Sequence, residues 1–116
     1  MQDFYCDQIL SGNLKVEVVE ETPRVLAFKH TNPYWPVHIV VITKNHIDSI
    51  AVLTEVNSAV ILDAMRIVAK VAAEIHALHG GCRVSTNVGS YQSTKHLHWY
   101  IHTGKRIRDG SGNPMN

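Results

Sequence analysis

The chain has little of what marks the specialised classes of protein. Its 116 residues include only two cysteines, Cys6 and Cys82, which stand far apart and outside any CxxC pair. Their number and spacing exclude a disulfide framework and do not indicate a thiolate zinc site, so we expect two buried small apolar residues. Hydrophobic residues make up 45% of the chain, yet no uninterrupted run is long enough to predict a membrane span.

The chain also lacks an excess of charge of either sign. The formal net charge is +1, and no basic stripe with interleaved aromatic residues occurs, so no nucleic-acid partner is expected. Met1 is followed by QDF, without a basic segment or an apolar run. This start predicts no signal peptide, and the cytoplasm is the expected location.

The length and the spacing of apolar residues predict one α+β domain. The expected elements are a short helix over 3–12, a hairpin with strands over 15–20 and 24–30, a strand over 37–43, a long amphipathic helix over 54–78, and strands over 82–87 and 95–102. Residues 1–104 are expected to form the domain. The polar residues 105–116 are expected to be a tail that is mobile or docked on a partner.

Histidine is abundant, with eight residues, and it is concentrated in the stretch KHLHWYIH at 95–102. On a strand, successive side chains point to opposite faces. His96, His98, Tyr100 and His102 therefore share one face, while the apolar residues between them share the other and are expected to face the long helix.

Such a row of imidazoles has three physical uses. It could bind a metal ion, supply a nucleophile and an acid or base, or form a solvated polar face. No aspartate or glutamate occurs between Ile75 and Arg108, although HxH metal sites usually recruit such a ligand nearby. The preceding loop NVGSYQST offers hydroxyl and backbone N–H groups for an anion, which favours phosphoryl chemistry over metal binding.

The same residues resemble the histidine-triad (HIT) family of nucleotide hydrolases and transferases. The matching features are Asn87, then Gln92 and Ser93, then HLHWYI from His96. CDQILSG, LAF and PVHIVVITKNHI occur upstream in the corresponding order. The resemblance implies an α+β domain with a meandering antiparallel sheet, usually paired into a homodimer. It also implies a substrate of the Hint-type branch, a nucleoside monophosphate joined to a leaving group.

The resemblance implies a role for individual residues. His98 takes the position of the nucleophile that attacks the α-phosphorus, His96 that of its orienting and electrostatic partner, and Tyr100 the third triad position. The substrate-binding positions implied are Asn87, Gln92 and Ser93 near the phosphate, His38 on the adjoining strand, and His30, Phe28 and Ile9 near the ribose and base. No cofactor and no metal ion are implied, and His46 is expected to be structural.

Two positions depart from the family pattern. Tyr100 stands where hydrolases of the family have histidine, and His30 stands where Hint-type enzymes carry an aspartate that grips the ribose hydroxyls. The leading hypothesis is a nucleotide hydrolase or nucleotidyl transferase acting through a covalent nucleotidyl-histidine. The alternatives are a nucleotide-binding homologue with little or no catalysis, and a metal-binding protein that uses His96, His98 and His102.

Overall fold

The computed structural model describes residues 3–115, which form a five-stranded antiparallel sheet and one long helix. The strands are β1 (Val18–Glu21), β2 (Val25–Lys29), β3 (Val37–Thr43), β4 (Arg83–Ser85) and β5 (His98–Thr103), and the helix is α1 (Ser58–His79). Short helical turns span Tyr5–Leu10, Ile50–Val52, Glu55–Asn57 and Gly89–Tyr91. The strand order β1-β2-β3-β5-β4 is antiparallel throughout, so the predicted α+β class with a meandering antiparallel sheet is confirmed.

Most of the predicted elements begin earlier than the observed ones; β1, for example, begins at Val18 rather than at 15. The first helix is a π-helix over Tyr5–Leu10, and α1 begins at Ser58 because a 3₁₀ turn over Glu55–Asn57 precedes it. The last strand begins at His98 rather than at 95, since the Leu97 N–H donates to the carbonyl of Ile47, outside the sheet. His96 therefore lies just before the strand, in a connection that the alternation of residue types does not reveal.

The two faces of the sheet are covered differently. Leu97, just before β5, and the inward residues Trp99 and Ile101 of β5 pack with buried residues of α1, as predicted. The opposite face is covered in part by the π-helix, whose Tyr5 and Ile9 pack on Leu26, Phe28, Val40 and Ile42. Near the other end of β5, the Trp35 ring stacks on His102. The histidines of β5 lie on this second face, beside a short helix and open surface, rather than under α1.

The polar tail makes hydrogen bonds to its own chain. The Ile107 N–H donates to the carbonyl of Tyr34 at 2.8 Å, and Arg108 Nε donates to the carbonyl of Pro33 at 2.8 Å. Arg108 and Pro114 form an antiparallel bridge that closes the tail into a turn. The tail thereby supports the 31–36 loop, which borders the histidine face.

A search of the helices in the described part of the chain finds none with the length and apolar character needed to cross a bilayer.

Candidate active site

His98 is fixed in one tautomer at the start of β5. Its Nδ1 lies 2.6 Å from the carbonyl oxygen of His96, which can only accept, so Nδ1 carries the hydrogen. The lone pair of a neutral His98 is therefore on Nε2. Burial lowers the pKa of His98, which keeps the imidazole neutral at pH 7. This arrangement makes Nε2 a competent nucleophile.

Two tyrosine rings enclose His98, which is only 2% exposed. The ring centroid of Tyr5 lies 5.0 Å from that of His98, and the ring centroid of Tyr100 lies 4.9 Å from it. Burial, together with the neighbouring Tyr100, raises the pKa of Tyr5, so its hydroxyl stays protonated. Tyr5 was not among the predicted site residues; the only signal for it was its place among the apolar positions of the first helix.

A polar pocket of about 520 Å³ opens beside these rings. Five predicted site residues line it: His30, His38, Asn87, Ser93 and Tyr100. Trp35, His102 and Arg106 line it as well, and none of these three was among the predicted site residues. The residues around this polar pocket include no aspartate or glutamate, so the pocket is suited to an anion rather than a cation.

His38 presents an unused hydrogen-bond donor at the polar pocket. The Tyr34 N–H donates to Nδ1 of His38 at 3.1 Å, so a neutral His38 carries its hydrogen on Nε2. Among buried side-chain nitrogen and oxygen atoms of residues 3–115, Nε2 of His38 alone has no partner. Burial, and then the charges of His30 and His102, lower the pKa of His38 to about 3. An unpaired buried donor is costly, which indicates that a ligand oxygen is its intended partner.

The depressed pKa of His38 predicts that acid destabilises the fold. The unfolded state takes up a proton near pH 6.5, whereas folded His38 does so only near pH 3. The stabilisation is therefore complete above pH 6.5 and is lost as the pH falls toward 3. We expect His38 alone to lower the free energy of unfolding by up to about 2 kcal/mol between pH 7 and pH 5.

Urea denaturation at the two pH values measures this effect. His38→Asn keeps an acceptor for the Tyr34 N–H but does not titrate, so its loss of stability between pH 7 and pH 5 should be smaller than that of the wild type. His76→Asn, which removes an exposed histidine of α1 outside the pocket, is the matched control. Identical pH dependence in the wild type and His38→Asn would contradict the assignment.

An apolar groove of about 510 Å³ lies beside the last residues of the π-helix. Ile9, a predicted base-pocket residue, lines this apolar groove together with Leu10, Val16 and Leu26. Phe28, predicted for the same pocket, is instead 1% exposed within the core of this face. The groove and the polar pocket thus offer two separate surfaces, one mainly apolar and one mainly polar.

Gln92 and His96 act on the site through the backbone rather than from the pocket. The Gln92 side chain accepts from the Gly89 N–H and donates to the carbonyl of Asp48 at 2.7 Å, so its amide holds the loop together. It was predicted to bind substrate, but these bonds already use both ends of the amide. The imidazole of His96 is fully buried, and its carbonyl orients the nucleophile. After burial, the nearby charge of His96 also contributes to the lowered pKa of His98.

A second cluster contains possible metal ligands. Asp3, Cys6, His46 and His96 offer donor atoms that all lie within 4.8 Å of one another. His96, His98 and His102, the metal set considered from the sequence, form no such group among residues 3–115. The signal missing from the sequence was Asp3, which lies 93 positions from His96 but contacts its Nδ1 at 2.7 Å.

The cluster fits a tetrahedral zinc ion. The remaining nitrogens of both histidines are held as in metal sites, since Nε2 of His46 contacts Asp48 and Nε2 of His96 contacts the carbonyl of Thr43, each at 2.6 Å. Burial and the adjacent Asp3 raise the pKa of Cys6 to about 11. A metal ion would therefore have to displace the thiol proton. Cys6 is thus part of a polar cluster and not the apolar residue expected from the sequence.

Asp3 is already stabilised as a carboxylate in this cluster. Burial opposes its ionisation, but hydrogen bonds from His96, from the backbone and side chain of Cys6, and from His46 together lower the pKa of Asp3. The hydrogen bond to Asp48, with a further contribution from Asp3, raises the pKa of His46. Without a metal ion the group is an ion-pair network that ties the N-terminal turn to His96.

The HIT domain profile matches residues 11–107 of this chain. The chain belongs to the HIT family. An uncharacterized HIT-like protein of Rickettsia prowazekii is 35% identical over 103 residues, which cover 86% of each chain. A 14 kDa zinc-binding protein of Zea mays is 34% identical over 105 residues, covering 87% of this chain and 81% of that protein.

The similarity to solved structures covers an equally large share of the chain. A HIT family hydrolase from Clostridium thermocellum superposes with a TM-score of 0.78 and 31% sequence identity, covering 90% of this chain and 91% of that one. The histidine face of this HIT protein therefore lies on the same scaffold as that hydrolase. The family expected from HLHWYI and its upstream segments is confirmed.

Proposed function

We propose that this HIT protein hydrolyses or transfers the nucleotidyl group of a nucleoside monophosphate conjugate through a covalent bond between His98 and the α-phosphorus. The observation that carries the proposal is the fixed tautomer of His98, which directs a neutral Nε2 lone pair away from the backbone. The apolar groove would take the base, and the polar pocket would take the phosphate and the group attached to it.

The reaction divides into two displacements. Nε2 of His98 attacks the α-phosphorus, and the leaving group departs with the bonding electrons. Asn87 and Ser93, which line the polar pocket, would donate hydrogen bonds to the phosphate oxygens, and Nε2 of His38 is a further donor. Water then cleaves the phosphorus–nitrogen bond, which releases the nucleoside monophosphate and restores His98.

Trapping of the intermediate tests this function. The wild type would be incubated with adenosine and guanosine 5′-phosphoramidates, dinucleoside polyphosphates and nucleotide sugars, then quenched and digested for mass spectrometry. We expect a nucleotidyl adduct on the peptide that contains His98. Nucleotide binding without an adduct or product would instead support the nucleotide-binding homologue with little catalysis.

We propose a structural zinc ion at the Asp3, Cys6, His46 and His96 cluster as a second property of the protein. The convergence of four donor atoms with oriented outer partners favours it, and one relative is named a zinc-binding protein. The ion would hold the N-terminal turn against His96, whose carbonyl orients His98. It would take no part in the displacements.

Metal analysis of the purified protein tests the zinc site. We expect one zinc ion per chain and a melting temperature that falls on chelation, because binding to the folded state alone stabilises it. Cys6→Ser should lose the ion, whereas Cys82→Ser, which changes a cysteine outside the cluster, should keep it. A wild type that neither retains nor takes up zinc would refute this site.

The homodimer and the cytoplasmic location stay predictions. Apolar residues of the helix layer and of β4 are exposed in the single chain, including Leu62 at 54%, Leu78 at 81% and Val84 at 46%. A two-fold dimer would cover such surface and would extend the open edge of the sheet at β4.

A further inference from the structure

Arg106 stands at the rim of the polar pocket and is held by aromatic rings instead of by a carboxylate. Its guanidinium carbon lies 5.7 Å from the ring centroid of Tyr34 and 5.6 Å from that of Trp35. No ion pair within residues 3–115 includes Arg106. Because a guanidinium that rests on rings keeps its N–H groups unused, Arg106 remains able to bind an anion with two parallel hydrogen bonds.

The backbone places Arg106 with some accuracy although its side chain is exposed. The next residue, Ile107, donates to the carbonyl of Tyr34, and Arg108 donates to the carbonyl of Pro33. Both bonds join the tail to the loop that carries the two aromatic rings. The position of the guanidinium is thus set by the same contacts that fold the tail.

Of the residues that line the polar pocket, only Arg106 is a lysine or arginine. Arg108 and Arg83 act from outside the lining, where their charges help to lower the pKa of His30 and of His102. Three histidines line the pocket, His30, His38 and His102, and burial is the first cause that lowers the pKa of each. They are therefore neutral at pH 7, and no acidic side chain lines the pocket to balance Arg106. A site with one cation and many neutral donors favours a ligand with negative charge in addition to the α-phosphate.

We propose that Arg106 determines specificity by binding a phosphate in the leaving group, so that the preferred substrates are nucleotides joined through a phosphoanhydride. This rests on the proposed function, in which the base occupies the apolar groove. The polar pocket is then available for the α-phosphate and for the group attached to it. As Nε2 of His98 bonds to the α-phosphorus, the bond to the bridging oxygen breaks. The departing phosphate keeps the electron pair, and Arg106 offsets the charge that develops.

Steady-state kinetics with two substrates tests the role of Arg106. Diadenosine triphosphate releases a phosphate leaving group, whereas adenosine 5′-phosphoramidate releases ammonia, which has no phosphate for Arg106 to bind. Arg106→Gln should lower kcat/KM for diadenosine triphosphate by about tenfold to a hundredfold, as expected for loss of a charge-assisted pair. For the phosphoramidate it should change kcat/KM less than about twofold.

Lys105→Gln is the matched control, because it removes an adjacent exposed charge that does not line the polar pocket. It should leave kcat/KM for both substrates nearly unchanged. An equal loss on both substrates in Arg106→Gln would overturn the specificity role. The proposed function would still stand if the His98 adduct formed.

If neither substrate is cleaved, the binding of inorganic pyrophosphate, measured by calorimetry, tests the role of Arg106 independently of the proposed catalysis. In that case the proposed catalysis fails, and binding alone decides the role of Arg106. We expect pyrophosphate to bind the wild type and Lys105→Gln equally, and Arg106→Gln at least about tenfold more weakly. No binding to the wild type, or equal binding to the wild type and Arg106→Gln, would overturn the inference.

Discussion

Replacement of His98 by asparagine is expected to lower kcat about a thousandfold or more, because the covalent route is lost while the two pockets remain. Asparagine is preferable to alanine, since His98 is only 2% exposed and its removal would leave a cavity beneath Tyr5. The asparagine amide can still donate to the His96 carbonyl, which now holds the imidazole at 2.6 Å. Turnover and adduct formation would be measured on the same samples.

Two measurements keep this result interpretable. The melting temperature of His98→Asn reports whether the fold survives, and His76→Asn, an exposed histidine on α1, controls for the loss of an imidazole elsewhere. If a folded His98→Asn variant retains more than a few per cent of turnover, His98 is not the nucleophile. If His98→Asn still binds nucleotide but does not turn it over, His98 acts in the chemical step rather than in binding.

Replacement of Tyr100 by histidine is expected to change which leaving groups the proposed reaction accepts. A phenol with a reference pKa near 10 is a poor acid at pH 7, whereas an imidazole can protonate a departing amine. Tyr100 lines the polar pocket next to His98, at the place from which such a proton would come. Tyr100→His should therefore raise kcat/KM for an amine-leaving phosphoramidate by at least about tenfold, and for an anhydride far less.

Tyr100→Phe provides the contrast, since it keeps the ring and removes only the hydroxyl. It should slow both substrate classes modestly and by similar factors. His102 does not take over the acid role in this scheme, because its ring is stacked on Trp35 with 3.7 Å between centroids. A wild type that already prefers phosphoramidates, with a ratio unaltered by Tyr100→His, would show that Tyr100 does not control the leaving group.

Periodic patterns in the sequence were sufficient to predict that the sheet and α1 exist. The β-branched run of β3 and the alternation in β5 mark strands whose pairing, Ile42 with His98 and His38 with His102, brings the histidines together. Patterns of this kind report which face a residue occupies but not what covers that face. Tyr5, which lies over His98, comes from a π-helix whose extra residue leaves no periodic signal.

The contacts that could not be predicted join distant parts of the chain. Asp3 meets His96, and Arg106 meets Trp35, although neither pair shares an element. The tail, whose few apolar residues predicted a segment that is mobile or docked on a partner, makes a backbone hydrogen bond to the 31–36 loop, which no pattern of apolar residues marks. The family resemblance pointed to the histidines and to the Gln92 and Ser93 segment, but not to the aromatic support of Arg106.

The attachment of the tail divides the molecule into regions of unequal stability. Residues 107, 108 and 115 are held by a few hydrogen bonds near the surface and contribute nothing to either buried cluster. Such a segment opens at a lower free energy than the sheet, and its amide hydrogens should exchange first. If Arg106 has the proposed role, substitutions in the tail would alter which ligands the pocket prefers at little cost to the core. Selectivity and foldability could then evolve separately within this scaffold.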